Sequence, residues 1–528
     1  MRDVLGTIQA DQDAIIRAGS RGALVVDGGP GTGKTVVALH RSAYLLYSDP
    51  RLGHRRGGVL FVGPHQPYLA YVADVLPSLG EEGVQTCTLL DLVAEGATAA
   101  IEADPNVALL KSSANLVKAI ETAVRFYEEP PTKGMTVTTP WSDVWLDADD
   151  WAAAFDAPDP GTPHNEARDQ IWDELVTILA DKHDDDDVDA GLLAESLRHD
   201  EGLRTALDRS WPLIEPTDLV EDLWSVPAYL RKCAPWLEPD DVRALRRSDA
   251  QAWTVSDLPF LDAARQRLGD PEATRRQRRE QATLEIEREQ RAAVIDDLIA
   301  ADDDSEGVVT MLRHPDLREN LIDEAAAPRT DPDLLAGPFA HIVVDEAQEL
   351  TDAEWQMLLL RCPSRSFTIV GDRAQARHGF TESWQERLER IGLDRINLAS
   401  LNINYRTPEE VMAEAEPVIR AVLPDANVPT SIRSSDVPVV HGPASDLGSI
   451  LDTWLAAHTD GIACVIGDPT FRATSRVQSL TPELSKGLEF DLVVLIDPEG
   501  FGKGIEGAVD RYVAMTRATQ RLVILTSS

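Results

Sequence analysis

The sequence GGPGTGKT at residues 28–35 has the residue types and spacing of a phosphate-binding loop. It follows a short apolar run and precedes a helix-like stretch, which is the strand-to-helix setting that such loops require. Lys34 is expected to reach the β- and γ-phosphate oxygens, and the hydroxyl of Thr35 to hold Mg²⁺. Three glycines let successive backbone N–H groups face the phosphates: Gly28, Gly31 and Gly33. The loop therefore predicts a bound nucleoside triphosphate, taken to be ATP, with Mg²⁺.

A carboxylate pair stands at the end of a second apolar run. The sequence HIVVDEAQ at 341–348 predicts a buried strand followed by Asp345 and Glu346. In a nucleotide site, Asp345 suits the Mg²⁺ shell, and Glu346 suits the orientation or deprotonation of the attacking water. Taken alone, the pair is also compatible with a helix N-cap. Its combination with the loop at 28–35 favours the catalytic interpretation.

Two later segments carry groups that suit phosphoryl transfer. A third apolar run ends with Asp372 and Gln375, where a polar sensor can meet the γ-phosphate. Arg406 in NYRT and Arg517 in YVAMTRA are candidate arginine fingers, which stabilise negative charge on the transferring phosphoryl group. An isolated arginine is more often simply solvated, so this prediction depends on the other motifs.

Taken in order, these motifs resemble those of superfamily 1 helicases of the UvrD type. The resemblance covers roughly 1–95 and 335–528, on the segments IQADQDAII, GGPGTGKT, VVDEAQ, VGDRAQ, NYRT, SKGLEF and YVAMTRA. It implies that Gln12 reads the adenine edge, Tyr405 stacks on the base and Glu489 contacts the ribose. It also implies that ATP lies between two RecA-like domains, that both fingers come from the second, and that closure on ATP is the power stroke.

Length and charge limit the class of protein. The chain has 528 residues, and 90 acidic against 50 basic residues give a formal net charge of −40. This length predicts two or three domains. No apolar run approaches a membrane span and the N-terminus lacks the order of a secretory signal, so we expect a cytoplasmic protein. Because proteins that grip nucleic acid carry clustered Lys and Arg, weak or indirect nucleic-acid binding is predicted; a lineage-wide acidic bias is the alternative explanation.

Apolar runs along the chain predict the fold class. Continuous rather than alternating runs are typical of parallel strands covered on both faces. Helix-like segments separate the runs, for example at 38–48 and 409–423. The predicted strands are at 23–26, 58–62, 342–344, 367–370, 461–466, 492–496 and 521–526. We therefore predict an α/β protein with two RecA-like parallel-sheet domains and a large, mostly helical insertion in the first.

The predicted domain boundaries place the first RecA-like domain at 1–100 and 336–398, the insertion at 101–335 and the second domain at 399–528. Within the insertion, residues 101–330 hold 51 acidic and 25 basic residues and eight of the eleven tryptophans. A helical region needs an aromatic core, so each tryptophan is explained more readily by packing than by binding. Acidic runs interleaved with aromatic residues nevertheless resemble what a basic channel accepts, and we favour a docking arm that imitates nucleic acid.

Two charged stretches of the insertion have a simple and a functional interpretation. The run Asp184–Asp187 is compatible with a divalent cation, although no glycine follows where a calcium loop needs one; a solvated loop is the default. Residues 271–300 predict one long charged helix, whose arginines are either phosphate contacts or, more simply, members of intrahelical ion pairs.

The helicase pattern is incomplete in three places. About 80 residues separate Arg406 from Ser485, too few for the duplex-handling domain that processive members carry there. The aromatic residue that stacks on single-stranded DNA after the GDRAQ motif is missing, and only Phe380 is left to substitute for it. The DNA-contacting motif after the phosphate loop is replaced by FVGPHQPYLAYV at 61–72.

These departures resemble the HelD family of RNA-polymerase-associated ATPases, and its actinobacterial HelR members in particular. The residues that carry the likeness are GGPGTGKTVVALHR, VGPHQPYLAYVADVLPSLGE and LSKGLEFD. The resemblance implies an ATPase that docks on core RNA polymerase, opens its clamp and dislodges nucleic acid, with the insertion entering the main channel. Some members also protect the polymerase from rifamycins. Family members begin with a coiled-coil arm, whereas only 11 residues precede Gln12, so a trimmed core is expected.

The expected partner is therefore the RNA polymerase core, with nucleic acid contacted weakly or indirectly, no membrane, and the motor acting as a monomer. A UvrD-like single-stranded DNA translocase in repair is the alternative, supported by the motif order alone. A nucleotide-gated binding module with negligible turnover is a third hypothesis, which the full set of phosphoryl-transfer residues argues against.

Overall fold

The computed structural model of the chain describes residues 10–49, 52, 58–66, 68–70, 84–183, 190–270, 334–377 and 379–527. The chain divides into two compact units. Unit 1 comprises Met1–Ala99, Ser112–Ala114 and Leu335–Ser528, and unit 2 comprises Ala100–Lys111 and Asn115–Leu334. In the described ranges, no helix is both long enough and apolar enough to cross a membrane.

The strands of the described residues are numbered in chain order. They are β1 (Ala23–Gly28), β2 (Val59–Val62), β3 (Val84–Cys87), β4 (Met135–Thr138), β5 (Asp143–Leu146), β6 (His341–Val344), β7 (Phe367–Gly371), β8 (Ile396–Leu401), β9 (Ile403–Asn404), β10 (Thr430–Ser431), β11 (Val440–Pro443), β12 (Ala463–Ile466), β13 (Val477–Leu480), β14 (Phe490–Ile496) and β15 (Ala518–Thr526).

The first sheet of unit 1 has six strands in the order β3-β2-β6-β7-β1-β8, and each pairing in it is parallel. Strands β1, β2, β6 and β7 are buried along their whole length, as their continuous apolar runs predict. The last strand, β8, runs across the boundary predicted between residues 398 and 399 and pairs with β1. The helices of this part are Ala10–Ile16, Lys34–Ser48, Asp352–Arg361 and Trp384–Ile391.

The second sheet of unit 1 has five parallel strands in the order β11-β15-β14-β12-β13. Its two faces are packed separately, because neighbouring residues of a strand point in opposite directions. Val493 belongs to the cluster that contains Tyr512, and Val494 to the cluster that contains Trp454. The helices of this part are Glu409–Arg420, Leu447–Ala457 and Gly504–Met515. The short strands β9 and β10 form a separate parallel pair.

Unit 2 is mostly helical, as the sequence predicts. Its helices are Pro105–Lys111, Ala119–Arg125, Ala148–Phe155, His164–Asp181, Ala190–Arg198, Glu201–Ser210, Pro216–Ser225, Pro227–Cys233, Pro239–Leu245 and Leu258–Leu268. The short helix Ala114–Val117 also belongs to it except for its first residue, Ala114. One antiparallel hairpin, β4 with β5, was not predicted, since four-residue alternating runs are too short to stand out in sequence. The fold class, two parallel α/β sheets with a large helical insertion, is thus confirmed.

Local sequence sets where several of these helices begin. A capping box forms when an N-cap side chain and the residue three positions later each bond the other's backbone N–H. Thr351 with Glu354 starts one helix of unit 1, and Ser383 with Glu386 starts the next. Asp147 with Asp150 starts the helix Ala148–Phe155 of unit 2.

The tryptophans of unit 2 divide between core and surface. Trp151, Trp211 and Trp224 are buried, as packing predicts, whereas three others have 43% to 57% of their surface exposed. The exposed three are Trp141, Trp145 and Trp236. The run Asp184–Asp187 and the helix predicted at 271–300 lie outside the described residues.

A buried ionic cluster holds part of unit 2 together. The ammonium group of Lys111 lies 2.9 Å from Glu102 and 2.8 Å from Asp257, and it faces the ring of Trp224. Arg247 makes a second ion pair with Asp257 at 2.8 Å. Burial alone would raise the pKa of Asp257, but the charges of Lys111 and Arg247 lower it overall. The two positive side chains, Lys111 and Arg247, balance the two negative ones, Glu102 and Asp257. The physical role of the cluster is therefore to join chain segments.

Candidate nucleotide site

The predicted phosphate-binding loop joins β1 to the helix Lys34–Ser48 at the carboxyl edge of the first sheet. Gly31 and Gly33 have φ angles of 72° and 82°, in the left-handed region that favours glycine. A Cβ atom on Gly31 would lie 2.1 Å from the side-chain oxygen of Asn404. Two of the predicted glycines are therefore required by backbone conformation, and Gly31 also by the close approach of the segment after β8.

Lys34 lies against this loop. Its Nζ donates to the carbonyl of Gly29 at 3.1 Å, and the hydroxyl of Thr32 donates to the same carbonyl at 2.9 Å. Gln12 also contacts the loop, because its Nε2 donates to the carbonyl of Thr32 at 3.0 Å. Both predicted side chains are almost fully buried. An ammonium group held among backbone groups of such a loop is placed to meet phosphate oxygens.

Thr35 and Asp345 meet although 310 residues separate them in sequence. The Thr35 hydroxyl donates to Oδ2 of Asp345 at 2.7 Å, and Oδ1 of Asp345 accepts from the backbone N–H of Glu346 at 2.9 Å. Burial raises the pKa of Asp345, and the negative charge of Glu346 raises it further. Three hydrogen bonds act in the opposite direction, but no cationic side chain of the described residues forms an ion pair with this carboxylate, so it is suited to a cation.

Mg²⁺ binds through one or two protein oxygens together with phosphate and water. The pair of Thr35 and Asp345 fits that requirement. Within the part of the chain that the structure describes, no group of three or more His, Cys, Asp or Glu side chains is arranged to hold a metal by itself. A metal at this site would therefore depend on the phosphates of a nucleotide for its remaining ligands.

Glu346 has an unusual backbone. Its φ of 53° lies in the left-handed region, which is uncommon for a residue other than glycine and is found disproportionately at functional sites. One carboxylate oxygen accepts a hydrogen bond from Nε2 of Gln348 at 2.6 Å. The oxygen of the same Gln348 amide accepts from the backbone N–H of Asp372 at 3.0 Å. Gln348 thus orients Glu346 relative to the end of β7.

Gln375 links the first sheet to the arginine that the sequence places in the second domain. Its Nε2 donates to Oδ2 of Asp372 at 2.6 Å, and its Oε1 accepts from Arg517 at 3.2 Å. Burial raises the pKa of Asp372 to about 6, an effect that the charge of Lys34 opposes. The structure therefore brings Gln375 and Arg517 together at the edge that also carries Lys34.

Arg517 is almost completely buried. Burial lowers its pKa to about 10, and the nearby positive charge of Arg406 lowers it too, while Glu346 and Glu489 act in the opposite direction. Arg517 thus lies within electrostatic reach of the other candidate finger and of the candidate base. A buried guanidinium beside a second one is costly, which favours a site that receives negative charge.

Arg406 pairs with Glu489, the residue predicted to contact ribose, at 2.6 Å. The backbone N–H of Tyr405 donates to the carbonyl of Gly31 at 3.0 Å, so this segment lies directly against the phosphate-binding loop. Tyr405 itself is half-buried. Among the described residues, Nε of Arg406 and Nδ2 of Asn404 are buried without a hydrogen-bond partner. Unsatisfied buried donors beside the loop fit a site that binds anionic phosphate.

Sequence reasoning missed three residues here. Gln348 lies in the segment VVDEAQ and Lys486 in SKGLEF, yet the sequence predicted no role for either residue. Lys486 pairs with Glu349 and donates to the carbonyl of Gln375 at 3.2 Å. Tyr68 donates to Asp345, and burial followed by the charge of Asp345 raises the pKa of Tyr68 well above its usual range. No local pattern identifies a tyrosine in that role.

The suggestion that Phe380 substitutes for a DNA-stacking aromatic residue is wrong. Its ring is 1% exposed and packs on Trp384, with a centroid distance of 4.7 Å. The guanidinium groups of Arg387 and Arg373 lie 4.5 and 5.7 Å from its centroid. Since stacking needs a free ring face, Phe380 serves the packing of this region instead.

The site combines a phosphate-binding loop, a buried carboxylate bonded to the Thr35 hydroxyl, and an arginine near the carboxylate of Glu346. This arrangement is typical of P-loop nucleoside triphosphatases. No protein-family model matches the chain, and a comparison with curated proteins gives no match. Two similar solved structures are the PRRSV helicase, 17% identical over 36% of this chain, and the arterivirus nonstructural protein 10 helicase with DNA, 19% identical over 35%. Their TM-scores are 0.25 and 0.22, too low to bear on function, and the matched region spans 35% and 38% of those chains.

Proposed function

We propose that the chain is an ATP-hydrolysing motor that docks on RNA polymerase core and remodels it, opening the clamp and releasing nucleic acid. The observation that most directly supports hydrolysis is the convergence of Thr35 on Asp345 at 2.7 Å and of Arg517 on Gln375 at 3.2 Å. Residues from distant motifs thereby meet in pairs, and Asp372, which Gln375 contacts, is within electrostatic reach of Lys34. Such convergence is what phosphoryl transfer requires, since its catalysis rests on positioning and electrostatics.

Each residue of the site has a role in this proposal. When bound, ATP with Mg²⁺ supplies the anhydride bond and the negative charge that the site meets. Lys34 and the loop N–H groups hold the phosphates, and Thr35 with Asp345 holds the metal. Glu346, oriented by Gln348, accepts a proton from the attacking water. Arg406 and Arg517 stabilise the charge that develops on the transferring group, with Gln375 positioning Arg517.

Substitution of the base tests this mechanism. Glu346→Gln keeps the hydrogen-bonding shape but not the basicity, so kcat for ATP should fall about 10²- to 10⁴-fold while ATP affinity changes little. The matched control is Glu499→Gln, because the side chain of Glu499 is 87% exposed and pairs with Arg511 away from the predicted catalytic residues. Unchanged turnover in Glu346→Gln would show that another group is the base. If the unaltered chain binds ATP without turnover, it is a nucleotide-gated binding module.

RNA polymerase is favoured as the partner by the acidic sequence and exposed tryptophans of unit 2, and by the burial of Phe380 in unit 1. The sequence of the insertion is strongly acidic, and Trp145 and Trp236 are about half exposed on unit 2. Exposed aromatic side chains on an acidic surface suit a basic protein cavity, because charge complementarity steers the encounter and aromatics anchor it. In addition, Phe380 is buried and unable to stack on a DNA base.

The identity of the partner is tested by comparing the affinity of the chain for RNA polymerase core with its affinity for single-stranded DNA. The chain should bind purified RNA polymerase core more tightly than single-stranded DNA at moderate salt. Trp145→Ala and Trp236→Ala should each weaken polymerase binding, whereas Tyr47→Ala should not, since Tyr47 is even more exposed to solvent but lies on unit 1. Equal or tighter binding of DNA would contradict the proposal.

A single-stranded DNA translocase is the second candidate. It is favoured by the pairing of Arg517 with Gln375, because ATP-dependent contacts between the two parallel-sheet regions would also drive movement along a strand. Its distinguishing property is ATP hydrolysis that single-stranded DNA stimulates many-fold. Stimulation by RNA polymerase and not by DNA would exclude it.

A further inference from the structure

A tyrosine outside every recognised nucleotide motif touches the candidate metal carboxylate. Tyr68 lies in the segment after β2, and its hydroxyl donates to Oδ2 of Asp345. The same oxygen accepts the hydrogen bond from Thr35 at 2.7 Å. We infer that Tyr68 is a positioning residue of the Mg²⁺ site, a role that rests on the proposed ATPase function.

The surroundings of Tyr68 hold its ring in one place. Its backbone N–H donates to the carbonyl of His65 at 3.1 Å and its ring packs against the first-sheet core. Gly63 permits this packing, because a Cβ there would lie 2.9 Å from Cδ1 of Tyr68 and 2.7 Å from Leu69. The hydroxyl group is therefore aimed at Asp345 by the fold and not by a flexible surface contact.

The hydrogen bonds of Asp345 show why the tyrosine matters. Oδ1 accepts from the backbone N–H of Glu346, and Oδ2 accepts from Thr35 and Tyr68. A carboxylate oxygen has two lone pairs, so these two hydroxyls take both positions on Oδ2. In the proposed site, the hydroxyl of Thr35 turns to the metal. Tyr68 is then the side chain that keeps the buried carboxylate of Asp345 in its orientation.

Side chains that hydrogen-bond a metal ligand commonly determine how tightly that ligand holds the metal. A side chain that hydrogen-bonds a metal-ligating group fixes its direction, and its loss typically lowers metal affinity 10- to 100-fold. The replaced motif at 61–72, which in the resembled helicases contacts DNA, thus contributes here to the metal site. Its effect should appear as metal dependence and leave nucleotide recognition itself intact.

The experiment compares the unaltered chain with Tyr68→Phe, which removes one oxygen and keeps the ring. Binding of a fluorescent ATP analogue is titrated with Mg²⁺, and binding of Mn²⁺ is followed by electron paramagnetic resonance in the presence of a non-hydrolysable analogue. We expect Tyr68→Phe to need about ten times more Mg²⁺ and to bind Mn²⁺ about ten times more weakly. Analogue binding in EDTA should be unchanged.

Tyr47→Phe is the matched control, because Tyr47 is 90% exposed and lies on the helix that follows the loop. Its metal affinity and that of the unaltered chain should agree. A Tyr68→Phe variant with unaltered melting temperature and with metal affinity equal to or tighter than that of the unaltered chain would overturn the inference, because the ring would then serve packing alone. Failure of the unaltered chain to bind nucleotide with or without metal would instead refute the proposed function.

Discussion

Buried charge is handled in opposite ways in the two units. In unit 1, burial raises the pKa of Asp345 and of Asp372. No cationic side chain of the described residues fully offsets the cost of burying either carboxylate. In unit 2, Asp257 is as deeply buried, yet Lys111 and Arg247 lower its pKa overall. Uncompensated charge destabilises a fold unless a ligand balances it. The difference therefore separates a region arranged for a ligand from a region arranged for rigidity.

The aromatic residues support the same separation. In unit 1, Phe380 and Trp384 are buried against each other, and arginines cover the Phe380 ring. In unit 2, Trp141 and Trp145 on or beside the β4–β5 hairpin remain exposed. The candidate site of unit 1 therefore keeps uncompensated polar groups at the loop and buries the nearby aromatic pair, whereas unit 2 neutralises its buried charges and leaves some of its tryptophans exposed. Three substitutions test this comparison.

Arg517→Ala should have the largest effect. An arginine finger contributes about 10³- to 10⁵-fold to kcat, equivalent to about 4–7 kcal/mol of transition-state stabilisation. Steady-state ATP hydrolysis measures the loss, with ATP affinity and melting temperature recorded alongside. Arg420→Ala is the control, since Arg420 forms a half-exposed pair with Glu416 one helical turn away. A loss below tenfold in Arg517→Ala would remove Arg517 from the catalytic set.

Lys111→Met should have the next largest effect, on stability and not on activity. Removing one partner of a buried ion pair leaves the other charge unpaired, which costs about 3–5 kcal/mol of unfolding free energy. Denaturant unfolding followed by tryptophan fluorescence measures this, because Trp224 faces Lys111. The double variant Lys111→Met with Asp257→Asn should regain part of the loss. A cost under about 1 kcal/mol would mean that the cluster does not stabilise unit 2.

His341 should produce the smallest effect, as a pH dependence of unit 1. Burial lowers its pKa to about 3, with the charge of Arg41 acting in the same direction. The folded pKa is thus depressed below the unfolded value of about 6.5, so its contribution is complete above that value and is lost as pH falls. Between pH 7 and 5 the loss amounts to about 2 kcal/mol.

The comparison of His341→Gln with the unaltered chain isolates this contribution from the carboxylates. His341→Gln should unfold with a flatter pH dependence over that range, because glutamine can bond Ser366 or Thr368 without taking up a proton. His441→Gln should keep the slope of the unaltered chain, since His441 is exposed. Parallel slopes for all three proteins would show that His341 does not titrate as described.

Part of the fold and of the site was predictable because it depends on neighbours in sequence. The continuous apolar runs predicted strands such as β6, β7 and β14, since a strand covered on both faces needs no polar alternation. The two edge strands of the first sheet, β3 and β8, were missed, because they are only partly buried and lack a continuous apolar run. The hairpin of unit 2 was also not predicted, because each of its strands has only four residues.

The phosphate-binding loop follows from local sequence, because its conformation depends on glycines at set positions and on the lysine and threonine beside them. Three contacts are visible in the folded chain alone: Thr35 with Asp345, Arg517 with Gln375, and Tyr68 with Asp345. These contacts join residues far apart in the chain, and which strand ends lie side by side follows from sheet order and not from spacing. The same packing buried Phe380, a ring that sequence alone left free to bind DNA.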